Sequence, residues 1–456
     1  MRPPSPFRTE LAAAARLAVP VVATQLGIML MGVIDTMMLG HLSATALAAG
    51  GLGHITTTTF MLFGYGLLSA LDPLIAQAHG AGDAKAIAGH FQRGLVLATA
   101  VTLPLMLLFL DVEPLLRAAG QPALVSRATA DYTRGILWGL LPYFLFIVLR
   151  QTLQAMSIVR QTTVAIVFGN LVNLLFNWLL IFGHLGFPAL GVQGSALSTS
   201  IARWAMFLYL LAASRHKLAE YWPGWRPFAL EARAFGKYVL MLRIGLPIAV
   251  HNAAELGIFA LGALLIGLIG VDELGGHQIA INLASLSFMV PLGIAGAATT
   301  RVGNAIGRGD LPGARRAAKV CLLLGGGTMA CFAILFAALP GALGHLYTRD
   351  PAVIAVVIAL LPIAAVFQVF DGLQVVGAGV LRGAADTTFP AAMALIGYWA
   401  IALPVGWALA FRVGLGARGL WWGFVVGLMA VAILLLLRIA ARFRAPIARV
   451  GGAASA

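Results

Sequence analysis

LAVPVVATQLGIMLMGVI, residues 17–34, decides the class of fold: this long run has no charged residue, and Thr24 and Gln25 are its only polar side chains. About 20 such residues cross the hydrocarbon core of a bilayer. Similar runs occupy 164–182 and 399–411 with its flanks. No water is present there, so every backbone group has to be satisfied by a helix or by a closed barrel. The runs are continuous rather than alternating, which excludes a barrel. The whole chain agrees, with 61% hydrophobic and 10% charged residues among 456 and a mean hydropathy of +0.94. A soluble domain carries about a quarter charged residues.

Charges and turn signals divide the chain into twelve expected spans, at 17–40, 46–71, 93–110, 134–156, 162–185, 191–214, 243–270, 275–300, 317–340, 352–379, 388–411 and 416–437. The longest polar stretch, 215–242, holds Arg215, Lys217, Arg226, Arg233 and Lys237, with Pro223-Gly224 as a breaker. It falls at the midpoint and reads as a cytoplasmic linker. An N-lobe of six helices would then cover 1–214, and a C-lobe of six would cover 243–456. With the N-terminus inside, the cytoplasmic segments and inner span ends hold 23 of the 30 Lys and Arg residues; the outer ones hold 6, and Arg203 lies within a span. That asymmetry places both termini in the cytoplasm.

The net charge of +14 therefore follows the positive-inside pattern, and nucleic-acid binding is not expected. No signal peptide is read, because the first apolar run is too long and lacks a small-residue cleavage site. Cys321 and Cys331 are the only cysteines, both in one apolar segment, so neither a disulfide framework nor a thiolate metal site is expected.

Internal repetition sets the architecture. Pro20 and Pro247 stand 227 residues apart, as do Gly80-Ala-Gly-Asp83 and Gly307-Arg-Gly-Asp310. Thr162-Thr163 and Thr387-Thr388 are separated by 225, as are Gly191-x-x-Gly194 and Gly416-x-x-Gly419. Six spans per half is an even number, so both halves insert the same way up. The expected fold is an all-α integral membrane protein of twelve transmembrane helices. Its two six-helix lobes form a parallel repeat with a pseudo-two-fold axis along the membrane normal and a central cavity.

Three acids fall inside spans: Asp35 in the first, Glu255 in the seventh and Asp371 in the tenth. A charge at mid-membrane costs roughly 2.5–3.5 kcal/mol on insertion scales, so each marks an ion or substrate pathway or else a structural hydrogen bond between helices. A carboxyl group in that setting can exchange a proton or accept a cation. Polar neighbours share the faces of two of them: Asn252 precedes Glu255 by three residues, and Gln368 and Gln374 flank Asp371 at three residues on either side. Asn173 with Asn177, and Gln278 with Asn282, are i,i+4 amide pairs that either complete a polar cavity or bond between helices. Gln25, Ser195, Thr199 and Arg203 carry a weaker signal. Asp72, beside Pro73, is expected at the membrane interface. Met29, Met31, Met37 and Met38 around Asp35 either line an adaptable surface or simply pack.

Several other motifs are set aside. His251-x-x-x-Glu255 has helical metal-ligand spacing but lacks the second histidine of a zincin, so no catalytic metal centre is expected there. Gly303-x-x-x-Gly307 is common in membrane helices. No phosphate-binding loop of the Gly-x-x-x-x-Gly-Lys type is present, so transport energy has to come from an ion gradient or a partner.

With these residues in view, the chain resembles the multidrug and toxic compound extrusion (MATE) family, in its NorM-like branch, from about residue 10 to 440. Val33-Ile-Asp-Thr-Met-Met-Leu-Gly40 is similar to the family's Val-Asp-Thr segment, and Ala76-Gln-Ala-His-Gly-Ala-Gly82 to its Gln-x-x-Gly-x-Gly element. Gly276-His-Gln-Ile-Ala-Ile-Asn282, Arg301-Val-Gly303 and Leu381-Arg-Gly-Ala-Ala-Asp-Thr387 fit the second half. The resemblance implies a multi-pass protein of the bacterial inner membrane that exports organic cations, such as drugs and dyes, in exchange for sodium ions or protons. It implies a cation site at Glu255 and Asp371, and an N-lobe site at Asp35 with Asn173 and Asn177. Family members often carry a tyrosine four residues before the second of these acids; Phe367 stands there, so that position supplies no hydroxyl ligand.

The mechanism expected is alternating access, in which sodium or a proton at Glu255 and Asp371 weakens the hold on a cationic substrate. No enzymatic activity or cofactor is expected, and twelve spans suffice for a monomer. A flippase for lipid-linked precursors would want a more basic cavity, whereas the intramembrane charge is mostly acidic. A prenyl transferase would want an Asp-rich magnesium motif, which is missing.

Overall fold

A computed structural model describes residues 6–221 and 232–451, and among these every regular element is helical. Eleven helices are long and apolar enough to cross a membrane, and a bent pair makes twelve. In chain order they are α1 (Pro6–Leu42), α2 (Ala44–Gly80), α3 (Ala84–Leu110), α4 (Ala123–Leu137 with Leu140–Ala155), α5 (Arg160–Phe182) and α6 (Val192–Tyr221). The second half contains α7 (Phe235–Gly267), α8 (Val271–Gly307), α9 (Leu311–Ala338), α10 (Pro351–Gly383), α11 (Thr388–Arg412) and α12 (Ala417–Arg442). The twelve-helix membrane fold expected from the sequence is therefore the one found.

Helix starts follow from side chains that satisfy otherwise free amides. Ser43 accepts from the Ala46 amide at 3.0 Å to open α2, and Asp83 accepts from Ala86 at 2.9 Å to open α3. Asp310 does the same for Gly313 at 2.8 Å, and Asp350 for Ala352 at 2.9 Å.

Helix bounds differ from expectation where charge was read as a stop. Helix α1 begins at Pro6 rather than 17, since Glu10 in its first turns pairs with Arg301, with N–O distances of 2.6 and 2.8 Å. A paired charge no longer forces the chain into water. The polar stretch 215–242 is helical at both ends, with Arg215 and Lys217 on the last turns of α6 and Lys237 on α7. Pro223, Gly224 and Arg226 lie outside the described residues. Helix α4 begins at Ala123 and bends by 52° near Gly139. A Cβ at Gly139 would come within 2.8 Å of the Ser200 Cα, so only glycine admits this approach to α6. Asp72 is buried within α2.

The repeat is written in backbone conformation as well as in sequence. Gly82 and Gly309 take φ of 68° and 72°, and each precedes the aspartate that caps the next helix. Gly191 and Gly416 take φ of 55° and 58°, a left-handed region open chiefly to glycine. Three residues on, a Cβ on Gly194 would strike the backbone of Leu180 in α5; on Gly419 it would come within 2.5 Å of the Ala410 amide in α11. Each half thus closes its last two helices on one another by the same device.

Two compact units are formed: Ala23–Gly245, and Met1–Val22 with Leu246–Ala456. The change of unit falls two residues after Pro20 in α1 and two before Pro247 in α7. In the first unit Gly245 packs against Leu67, whose Cα would stand 2.8 Å from an added Cβ. In the second, Gly293 meets Val22 in the same way, with the Val22 amide nitrogen at 2.7 Å.

Candidate functional site

Each unit buries one cluster of polar side chains around an acid, and the two clusters differ in kind. In the Ala23–Gly245 unit Asp35 is surrounded by donors. Its Oδ1 accepts from Asn173 Nδ2 at 3.0 Å and from Asn177 Nδ2 at 2.6 Å, and its Oδ2 accepts from the Thr199 hydroxyl at 2.7 Å. Asn177 also donates to Asn173 Oδ1 at 3.2 Å. The i,i+4 spacing of the asparagines puts both amides on one face of α5, and Thr199 comes from α6. The Arg203 guanidinium, one turn beyond Thr199, stacks over the Tyr143 ring at 4.9 Å and lies within electrostatic reach of Asp35. Gln25 belongs to a separate network: Arg150 donates to its Oε1 and to the Tyr65 hydroxyl, both at 3.1 Å.

The other unit surrounds Asp371 with acceptors. Its carboxylate accepts no hydrogen bond among the described residues, and Oδ1 is enclosed without a partner. The amides one turn away on either side do not help, because their nitrogens are already engaged. Gln368 Nε2 donates to the Ser287 hydroxyl, whose own proton goes to the α8 backbone at the Ala284 carbonyl, 2.8 Å away. Gln374 Nε2 donates to His251 Nε2 at 3.1 Å. His251 can accept there because its Nδ1 proton is held by the Pro390 carbonyl at 3.2 Å, which fixes the tautomer. Gln368 Oε1, Asp371 Oδ1 and Gln374 Oε1 are therefore all buried and unpartnered, along one face of α10 over two turns.

Two further groups lie close by, one of them a phenol that can also donate. Glu255 stands one turn after His251 on α7, its Oε2 3.8 Å from the imidazole. Tyr398 on α11 is 2% exposed, its hydroxyl has no partner, and it lies within electrostatic reach of both Glu255 and Asp371. The stretch Ile396–Ala402 that carries Tyr398 is wound as a π-helix, a local widening often found at functional positions. Phe367 lies among aromatic rings instead, edge-on to Phe259 at 6.0 Å and to Trp421 at 5.8 Å. A small cavity bounded by Ile248, His251, Ala378, Arg382, Thr387 and Pro390 adjoins the imidazole.

The remaining expected site residues are placed differently. Asn252 is half-buried on α7, whereas Gln278 and Asn282 lie on the exposed side of α8, where Asn282 accepts from the Tyr347 hydroxyl at 3.1 Å. His251, Ser287 and Tyr398 were missed as site members. His251 stands out in sequence only as half of a metal motif, and its role here is to hold the Gln374 amide and the Pro390 carbonyl. Tyr398 carries no local sequence signal, and it lies inward on the π-wound part of α11.

The chemistry of the two clusters follows from this inventory. Both carboxylate oxygens of Asp35 already have donors within the protein. The carboxylate and amide oxygens around Asp371 are the reverse case: buried acceptors without donors are costly, and the cluster is relieved by a proton or by a hard cation that binds oxygen.

Comparison with known proteins covers nearly all of the chain. The MatE family profile matches residues 20–179 and 247–408, one block in each half of the repeat. A probable multidrug resistance protein NorM of Mesorhizobium japonicum is 38% identical over 444 residues, covering 96% of this chain and 95% of that protein. One of the same description from Rhizobium meliloti is 38% identical over 449 residues, covering 95% and 92%. Among solved structures, the eukaryotic MATE transporter AtDTX14 shares the fold with a TM-score of 0.85 at 24% identity, over 96% of this chain and 99% of that one. An outward-facing multidrug resistance MATE family transporter of the MOP superfamily gives 0.86 at 20% identity, over 95% and 96%. With both halves matched and full-length relatives at this identity, the chain belongs to the MatE family of transporters, in its NorM-like branch.

Proposed function

We propose that this protein is a multidrug efflux antiporter of the bacterial inner membrane, with both termini in the cytoplasm, which exports organic cations in exchange for sodium ions or protons by alternating access. The multidrug reading is taken from the NorM relatives. The observation that carries the coupling reading is the row of unpartnered acceptor oxygens at Gln368, Asp371 and Gln374. An inward-moving cation or proton relieves Glu255, Asp371, Gln368 and Gln374 together, and neutralising the carboxylates weakens the hold on a cationic drug. Coupling requires only that ion and drug favour different conformations. Asp35 has its donors in place already, and in this reading it holds the first unit together rather than driving exchange.

Transport of a cationic dye in proteoliposomes, with sodium and pH gradients applied separately, tests the assignment. Transport driven by sodium alone means that the Asp371 cluster takes sodium despite Phe367. Transport driven only by pH means that its acids carry protons, and Asp35 then has to be tested as a second carrier. Failure of both gradients would remove the antiport reading.

In the sodium case the Tyr398 hydroxyl supplies the neutral oxygen that position 367 lacks. Tyr398→Phe is expected to raise the sodium concentration for half-maximal transport by about ten-fold, the loss of one buried polar contact. Adding Phe367→Tyr to that variant is expected to restore part of the affinity. An unchanged sodium dependence in Tyr398→Phe would take the phenol out of the site.

A further inference from the structure

The exposed flank of α9 and α12 carries a feature that drug transport does not use. A groove of about 650 Å³ runs between them, floored by Leu373 of α10, within the roughly 300–1,000 Å³ of small-ligand sites. Its lining is aliphatic and aromatic over most of its length, including Leu322, Leu323, Ile439 and Phe443. One end is different: Arg315, Lys319 and Arg444 gather there, and no acid lines the groove.

These cations are not spent on neighbours of opposite charge. Arg315 donates to the backbone carbonyls of Phe443 at 2.6 Å and Arg444 at 3.0 Å, closing off the end of α12. None of the three forms an ion pair among the described residues. Lys319 follows Arg315 by one turn, so both lie on one face of α9, and all three side chains are exposed. The ligand that complements this surface has an anionic head and an aliphatic tail. A cationic drug is repelled from it, and a free anion gains nothing from the apolar floor.

We propose that this groove is a binding site for one anionic phospholipid, with the phosphate held at Arg315, Lys319 and Arg444 and an acyl chain laid along Leu322, Leu323 and Ile439. With the termini cytoplasmic, as proposed above, the basic end faces the inner leaflet, where anionic headgroups meet basic pockets between helices. The lipid holds the start of α9 and the end of α12 together from outside and takes no part in drug or ion binding.

Native mass spectrometry of the full chain, purified and exposed to equimolar phosphatidylglycerol and phosphatidylcholine, reads the site without reference to ion coupling. The wild type is expected to retain phosphatidylglycerol in clear preference. The Lys319→Gln/Arg444→Gln variant should lose about five-fold of that preference for each cation removed, and it leaves the helix-closing contacts of Arg315 intact. Ala440→Phe, on an exposed position of the groove wall, should reduce retention with all charges present. Equal retention of the two lipids by the wild type would overturn the proposal. So would an unchanged preference in the double variant, displacement of the lipid by millimolar glycerol phosphate, or full retention in Ala440→Phe.

Discussion

Asp371→Asn and Glu255→Gln are each expected to bring gradient-driven efflux down to background while the protein remains folded in the membrane. Removing one charge from a buried site of this kind costs roughly 2–5 kcal/mol of ion binding, about thirty-fold or more. The Asp371 change has a second consequence that marks the mechanism. An asparagine there brings an NH₂ group onto the face of α10 where Gln368 Oε1 and Gln374 Oε1 are buried without partners. Once that amide donates to one of these oxygens, the cluster no longer needs an external proton or cation. Thermal stability of Asp371→Asn in the absence of sodium should therefore equal or exceed that of the wild type, and its stabilisation by added sodium should vanish. Dye efflux in proteoliposomes and thermal unfolding with and without sodium measure the two halves of the expectation. Wild-type efflux in both variants would exclude the cluster from coupling. A large loss of stability in Asp371→Asn would mean that the carboxylate has donors and is a structural group.

The number of helices, the duplicated halves and the acids at 35, 255 and 371 could all be read from the sequence, for reasons that are local, whereas the burial of Asp72 could not. A run such as 17–34 admits no alternative to a helix in lipid, and a lone acid in such a run stands out against it. What could not be read is the sign of the surroundings. Asp35 and Asp371 look alike in sequence, each with amides nearby, yet the amides at 173 and 177 turn their nitrogens toward the acid. Those at 368 and 374 turn theirs away, because Ser287 and His251 capture them. That choice depends on residues 81 and 123 positions distant along the chain. Tyr398 is hidden for the same reason. Counting positions along a helix does not separate Gln278 and Asn282, which face outward, from Asn173 and Asn177, which face in, since both pairs have the same spacing.

The packing of α11 on α12 sets where Tyr398 and Pro390 stand, and it rests on a row of glycines that spacing alone reveals: Gly419, Gly423 and Gly427, one turn apart on one face of α12. A Cβ on Gly423 would come within 2.6 Å of both the Ala402 carbonyl oxygen and the Gly406 nitrogen, and on Gly427 within 2.6 Å of the Gly397 carbonyl oxygen. These opposing atoms are backbone, so no side chain can swing aside. Gly423→Val therefore has to push the two helices apart over the length of the π-wound stretch, and it is expected to cost at least about 4 kcal/mol, the range reserved for severe steric disruption. The accumulated, monodisperse protein should fall to a small fraction of the wild type. Any that remains should have lost sodium dependence, because the Pro390 carbonyl that fixes His251 and the phenol of Tyr398 both ride on α11. Gly327→Ala is the control: a Cβ on that glycine of α9 meets nothing within 4 Å, and alanine is the better helix former by about 1 kcal/mol, so stability should hold or rise. Equal stability of Gly423→Val and wild type would mean that the helices are not in backbone contact there, and the placement of Tyr398 beside the acids would fall with that seam.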